Sequence, residues 1–180
     1  MGRTRCCNTK CECIALKVQM RDLWTDHYYQ TREVITDAAT QNPCFAVNLE
    51  ALLTNQDNIG ANFGKLVCNA KAGSKLAVEL RRHIDIAVLI VVALINQQPI
   101  DQLYQLWREN ADAIAAIYHK YNRCIRYETI KELLYGHLDT TAAEAVAIIA
   151  GDCVLSQTTG AEALHHIREM VDYIDSKFKC

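Results

Sequence analysis

From Ser74 to Gln98 the chain runs without a proline or a glycine. Leu76, Leu80, His83, Ala87, Val91 and Leu94 recur along it at three- and four-residue steps, the spacing of one apolar helix stripe. Its middle, 86–95, is rich in β-branched residues and resembles a strand when read alone. The unbroken flanks make the segment too long for a strand, so the pattern predicts a helix from Ser74 to about Gln97. Two prolines and seven glycines in 180 residues leave few interruptions elsewhere, and 51% hydrophobic residues suffice for one well-cored domain.

The same periodicity predicts a helix over 16–41 through Leu16, Met20, Leu23, His27, Val34 and Ala38. Asn42-Pro43 should stop it, because the residue before proline is pushed out of the α region. A second helix is expected from Pro43 to about Thr54, then a short segment from Asn55 to about Phe63. Pro99 opens a helix that reaches about Tyr121. Two further helices are predicted over 127–138 and 140–150, and a last one presents Leu164, Ile167, Val171, Ile174 and Phe178. Thr141 with Glu144, and Thr159 with Glu162, have the spacing of capping boxes.

Landmarks recur along the chain. His27 and His83 are 56 apart, as are Pro43 and Pro99, and His137 follows His83 by 54. "NQDNIGA" at 55–61 and "NADAIAA" at 110–116 share the pattern N-x-D-x-I-x-A. A repeat of about 55 residues, with a partial third copy, accounts for this recurrence. The expected fold is all-α, an up-and-down multi-helix bundle built from that repeat. It occupies residues 20–180, with copies at about 20–73, 74–126 and 127–180. Residues 1–19 form a basic, cysteine-rich arm.

Each copy sets one histidine on an apolar stripe. His27, His83 and His137, with Asp57 and Asp112 at matching places, are the candidate metal ligands, since imidazoles and carboxylates converging inside a bundle suit a divalent transition metal. The competing and preferred reading is structural. A buried histidine is often satisfied by a neighbouring polar group, and Asn-x-Asp reads as ordinary capping at a helix start. No cofactor is expected on that reading.

Other chemistry lacks its residues. "GANFGKL" at 60–66 has too few residues between its glycines for a phosphate-binding loop and ends in leucine where magnesium needs a hydroxyl. Only one Glu-x-x-His pair, Glu162 to His165, is present, where di-iron bundles need two. The formal charge of −2 argues against nucleic acid as a partner of the body, although Arg3, Arg5, Lys10, Lys17 and Arg21 make the arm basic. The apolar run 86–95 is half what a membrane span needs, and no secretory leader is visible. Nine cysteines without such a leader point to mostly reduced thiols and a cytoplasmic setting. Cys6, Cys7, Cys11 and Cys13 lack zinc-knuckle spacing, and "MGRTRCC" has cysteine where myristoylation expects a hydroxyl.

"LWTDH" at 23–27, "LWRENAD" at 106–112, "LLYGHLDTTAAEAV" at 133–146 and "GD" at 151–152 resemble a family of small helical proteins of bacilli and of large DNA viruses of the marseillevirus kind. In that family an acidic residue often precedes each histidine. Asp26 fits this, whereas Arg82 and Gly136 depart from it. Some bacterial members are labelled acetylglutamate kinase, an activity for which this chain shows no phosphate-binding loop. The resemblance implies no residue-level chemistry. The lack of a complete catalytic motif and a repeat made of packing residues favour a non-enzymatic structural or protein-interaction bundle, with protein partners or self-association. The arm added to the common body suits a component of a viral particle, with the cytoplasm as the other expected location.

Overall fold

A computed structural model describes residues 10–178 as six α-helices, with no strand among the described residues. They are α1 (Lys10–Thr40), α2 (Phe45–Leu66), α3 (Ala70–Ile95), α4 (Asp101–Tyr121), α5 (Tyr127–Ile149) and α6 (Cys153–Ser176). Each helix packs on its chain neighbours, and α6 returns to α1, closing a ring. The odd-numbered helices α1, α3 and α5 also touch one another, so each even-numbered helix lies against two of them. None of the six is long and apolar enough to cross a membrane.

Packing, more than propensity, holds these helices. Trp24, Phe63, Tyr118 and Met20 are fully buried in one continuous core that also takes Ile59, Leu76, Leu80, Ile114 and Leu134. Two smaller apolar clusters, around Val34, Leu52 and Ile84 and around Ile35, Val91 and Ala145, lie toward one end. That end carries the α1–α2, α3–α4 and α5–α6 turns.

Four helices stop in the same way. Gln41, Cys68, Gln97 and Gly151 adopt positive φ between 52° and 68°. The next amide in each case donates to the carbonyl five residues back, as in Asn42 to Asp37 and Gln98 to Ala93, both 2.9 Å. This is the Schellman closure, which satisfies carbonyls that the helix leaves open.

The structure departs from the sequence expectations in four places. The segment 55–63 is not an interruption, because α2 runs through it with Asn55, Ile59, Asn62 and Phe63 buried on one face. Its glycines admit α3. A Cβ on Gly60 would lie 2.6 Å from the Gly73 carbonyl oxygen, and one on Gly73 would lie 2.5 Å from that of Gly60. The helices expected over 127–138 and 140–150 are one, α5, so Thr141 and Glu144 sit mid-helix and form no capping box. Nor does Thr159: α6 begins at Cys153, capped by Asp152, which accepts the Leu155 amide at 2.9 Å. The last departure is at the expected arm. Residues 10–19 are the first turns of α1, and the rest of the arm lies outside the described residues. Cys13 is disulfide-bonded. Cys11, Cys44, Cys68, Cys124 and Cys153 are free and exposed.

Candidate functional site: a buried histidine cluster

His27 on α1, His83 on α3 and His137 on α5 each sit on one of the mutually contacting odd-numbered helices, and all three are buried. Their rings meet. The His137 ring centroid lies 5.5 Å from that of His27 and 5.8 Å from that of His83. Trp24 stands edge-on to both His27 and His137, and Trp107 is tilted against His83 at 5.0 Å. Trp107 also donates its indole N–H to the His83 backbone carbonyl at 3.1 Å.

Each imidazole has a polar neighbour at Nδ1. The Gln56 amide donates to His27 Nδ1 at 3.0 Å, which leaves the His27 ring proton on Nε2. The Asn110 side-chain oxygen faces His83 Nδ1 at 3.0 Å, so His83 donates there and carries its proton on Nδ1. Asn110 is fixed in that orientation because its amide N–H₂ donates to Glu79, at the backbone carbonyl and the carboxylate, both 3.0 Å. Thr141 Oγ1 lies 3.3 Å from His137 Nδ1. His83 Nε2 is buried and has no hydrogen-bond partner.

Burial disfavours the imidazolium form. It lowers the His27 pKa to about 3, with help from the nearby His83, and that of His83 to about 4 against the opposing bond to Asn110. His137 is held well below its ordinary value by burial and then by its histidine neighbours. The cluster is neutral at physiological pH.

One bond recurs beside the cluster. Asn55 donates to the Leu23 carbonyl at 3.0 Å, four residues before His27, and Asn110 to that of Glu79, four before His83. On α6, His166 Nε2 donates to the Leu133 carbonyl at 2.8 Å, four before His137. Each links an odd-numbered helix to the one after it.

The carboxylates singled out by the sequence lie elsewhere. Asp57 is exposed and pairs with Arg81 at 2.9 Å, and Asp112 accepts the Tyr135 hydroxyl at 2.9 Å. Two residues along a helix is a turn of roughly 200°, which points these aspartates away from the face used by Asn55 and Asn110. Among the described residues, no three His, Cys, Asp or Glu side chains are placed to hold one metal ion.

Sequence reasoning missed Gln56, the inward role of Asn55 and Asn110, and a second polar group between α1, α5 and α6. There the buried Glu144 accepts from Arg32 and, at 3.2 Å, from the Tyr28 hydroxyl, while Arg32 reaches Ser156 Oγ at 2.9 Å. Gly160 makes room for it, since a Cβ there would lie 2.7 Å from atoms of Arg32, Glu144 and Tyr28. Burial raises the Glu144 pKa despite the guanidinium. No family model, curated protein or solved structure matches the chain.

Proposed function

We propose that the protein is a non-enzymatic structural or interaction bundle, working by presenting its surface to other chains, as a component of a larger particle does. The state of the polar core supports this most. Gln56, Asn110 and Thr141 occupy the Nδ1 atoms of the three histidines, and the rings are walled by Trp24 and Trp107. Groups spent in this way specify packing, because a buried polar group fixes its partners and excludes other registers.

A second reading, a bundle that binds a divalent transition metal through His27, His83 and His137, is favoured by the closeness of the rings and by the free lone pair of His83 Nε2. Elemental analysis of the purified protein, beside His83→Ala, separates the two. The structural reading expects no stoichiometric metal in either protein. Near one equivalent of a transition metal, lost in His83→Ala, would overturn it.

A further inference from the structure

All nineteen Lys and Arg residues lie outside three segments, 33–64, 83–107 and 132–167, while about half of the twenty-one acidic residues lie inside them. Each of these segments contains one of the turns at 41–44, 96–100 and 150–152, which share one end of the bundle. The opposite end holds the turns at 67–69 and 122–126, flanked by exposed Lys65, Lys71, Lys75, Lys120, Arg123 and Arg126. The only basic residue bordering the acidic end on α1, Arg32, is committed to Glu144. The turns at 41–44, 96–100 and 150–152 are therefore free of basic neighbours, while outside the three segments basic residues outnumber acidic ones.

The acidic end is also apolar. Val47 and Val154 are 72% and 80% exposed within the first turns of α2 and α6. Val92, Ile95, Val146 and Leu155 are exposed beside them. A cavity of about 30 Å³ lined by Val34, Phe45, Val91 and Ala145 lies at this same end. The basic end offers a matching recess. A groove of about 630 Å³ runs between α2 and α3, lined by Lys65, Asn69, Ser74, Val78 and Arg81 and also by Asp57, which pairs with Arg81, with Val78 64% exposed. Its floor lies where Gly64 and Gly73 bring the helices together.

We infer that the acidic, apolar end of one copy docks on the basic end of a second copy, in a head-to-tail contact. The inference rests on the reading of the protein as an interaction bundle and names its partner. Opposite charge steers the encounter and fixes the orientation, while the exposed aliphatics supply the burial. A contact between two acidic ends would set like charges together, which disfavours a symmetric dimer through that end. Because the two surfaces differ, the contact is heterologous and adds copies in series unless its rotation closes a ring.

Sedimentation velocity on the full chain, over a range of protein and salt concentrations, tests this. The expected result is a series extending beyond dimer at low salt, with association weakening on the order of tenfold or more as salt rises. Two charge-reversed variants sharpen it, Glu33→Lys with Glu50→Lys at the acidic end and Lys71→Glu with Lys75→Glu at the basic end. With folding checked by circular dichroism, each alone should be monomeric, and an equimolar mixture should associate through the ends left intact. A wild-type monomer at every salt concentration would overturn the contact, as would a salt-resistant species that stops at dimer. A monomer without bound metal removes the contact and leaves the interaction reading standing, whereas one equivalent of metal in the elemental analysis removes that reading itself.

Discussion

The imidazoles of His83 and His137 lie 5.8 Å apart, centroid to centroid, with planes only 19° from parallel, and both are buried. Two imidazolium ions could not share that position without water, so the pair and its neighbour His27 are stable only when neutral. Stability should therefore depend on pH with a definite sign. Free histidine titrates near 6.5, whereas His27 and His83 are lowered to about 3 and about 4. Above pH 6.5 neither the folded nor the unfolded chain protonates them and they add no pH dependence. Between about 6.5 and 4 the unfolded chain takes up protons that the folded chain refuses, so stability falls as pH falls, by up to ~1.4 kcal/mol per pH unit for each histidine. Asp175, whose carboxyl burial pushes up to about 6, works in the opposite sense and offsets part of the loss. Urea unfolding at about pH 7.5, 5.5 and 4.5 measures the slope. A flat profile across that range would contradict the neutral cluster.

Asn110 joins two helices through one side chain, accepting from His83 and donating to Glu79. Asn110→Ala removes all three of its side-chain bonds and leaves His83 without a partner at either ring nitrogen. The expected loss is about 2–4 kcal/mol in denaturant unfolding, the cost of buried polar groups left unpaired plus a small cavity. Asn110→Asp should lose less at acid pH than at neutral pH, because only the protonated acid avoids a buried charge. An Asn110→Ala protein as stable as the wild type would show that the bond contributes nothing net.

The convergence of α2 and α3 makes a steric prediction. Gly60 and Gly73 face each other's backbone, where a Cβ would approach a carbonyl oxygen to about 2.5 Å. Backbone cannot swing aside as a side chain can. Gly73→Ala should therefore cost about 2 kcal/mol or more, although alanine is the better helix former by about 1 kcal/mol. Gly136→Ala is the control. The nearest atoms to its added methyl belong to the His166 ring, which can rotate, so the smaller loss should come with loss of the bond from His166 to Leu133. Thermal melts of the two variants, run side by side, rank these costs.

How much of this was legible follows from what each signal measures. Helical period and the shortage of breakers carried the all-α bundle, and Asn42-Pro43 marked the end of α1 because proline acts locally. The stretch 55–63 misled because its glycine and amides look like a turn. They are packing groups, Gly60 against Gly73 and Asn55 against the Leu23 carbonyl, and only the partner helix shows that. The capping boxes misled for the converse reason. Thr141 and Glu144 have capping spacing, yet Thr141 serves His137 one turn back on α5 and Glu144 serves Arg32 across the bundle. For the candidate site, the spacing of the histidines placed each on its own odd-numbered helix. The same N-x-D-x-I pattern, once read as helix, points inward through Asn and Ile and outward through Asp, a signal available from periodicity alone.

Glutamine at a left-handed helix end is a further cost that can be removed. Gln41 and Gln97 hold φ of 55° and 54° at the ends of α1 and α3, where a Cβ is strained. Each is exposed at its turn, so replacement changes little else. Gln41→Gly and Gln97→Gly should each stabilise by about 0.5–1 kcal/mol, relief of the strain exceeding the flexibility added to the unfolded chain. Two such sites on separate turns should add. Denaturant midpoints of the single and double variants check both the sign and the additivity.

Arg32 and Glu144 tie α1 to α5 in a setting where the carboxylate is buried and the guanidinium only partly so. Arg32→Met keeps most of the apolar stem but leaves Glu144 with the Tyr28 hydroxyl alone. A buried charge stripped of its partner costs about 3–5 kcal/mol when it remains ionised. Glu144 is already raised above its ordinary value by burial, and losing Arg32 raises it further. The folded chain then binds a proton that the unfolded chain binds only at lower pH, so the variant recovers stability as pH falls toward about 5. The gap between Arg32→Met and the wild type should be largest near neutral pH and should shrink on acidification. Adding Glu144→Gln to Arg32→Met removes the charge, and should restore most of the lost stability at pH 7 while abolishing the excess pH dependence that Arg32→Met alone shows. A gap that stays constant from about pH 7.5 to 5, in denaturant titrations of the three proteins, would mean that Arg32 acts through packing and its bonds to Ser156, with no part played by the charge on Glu144.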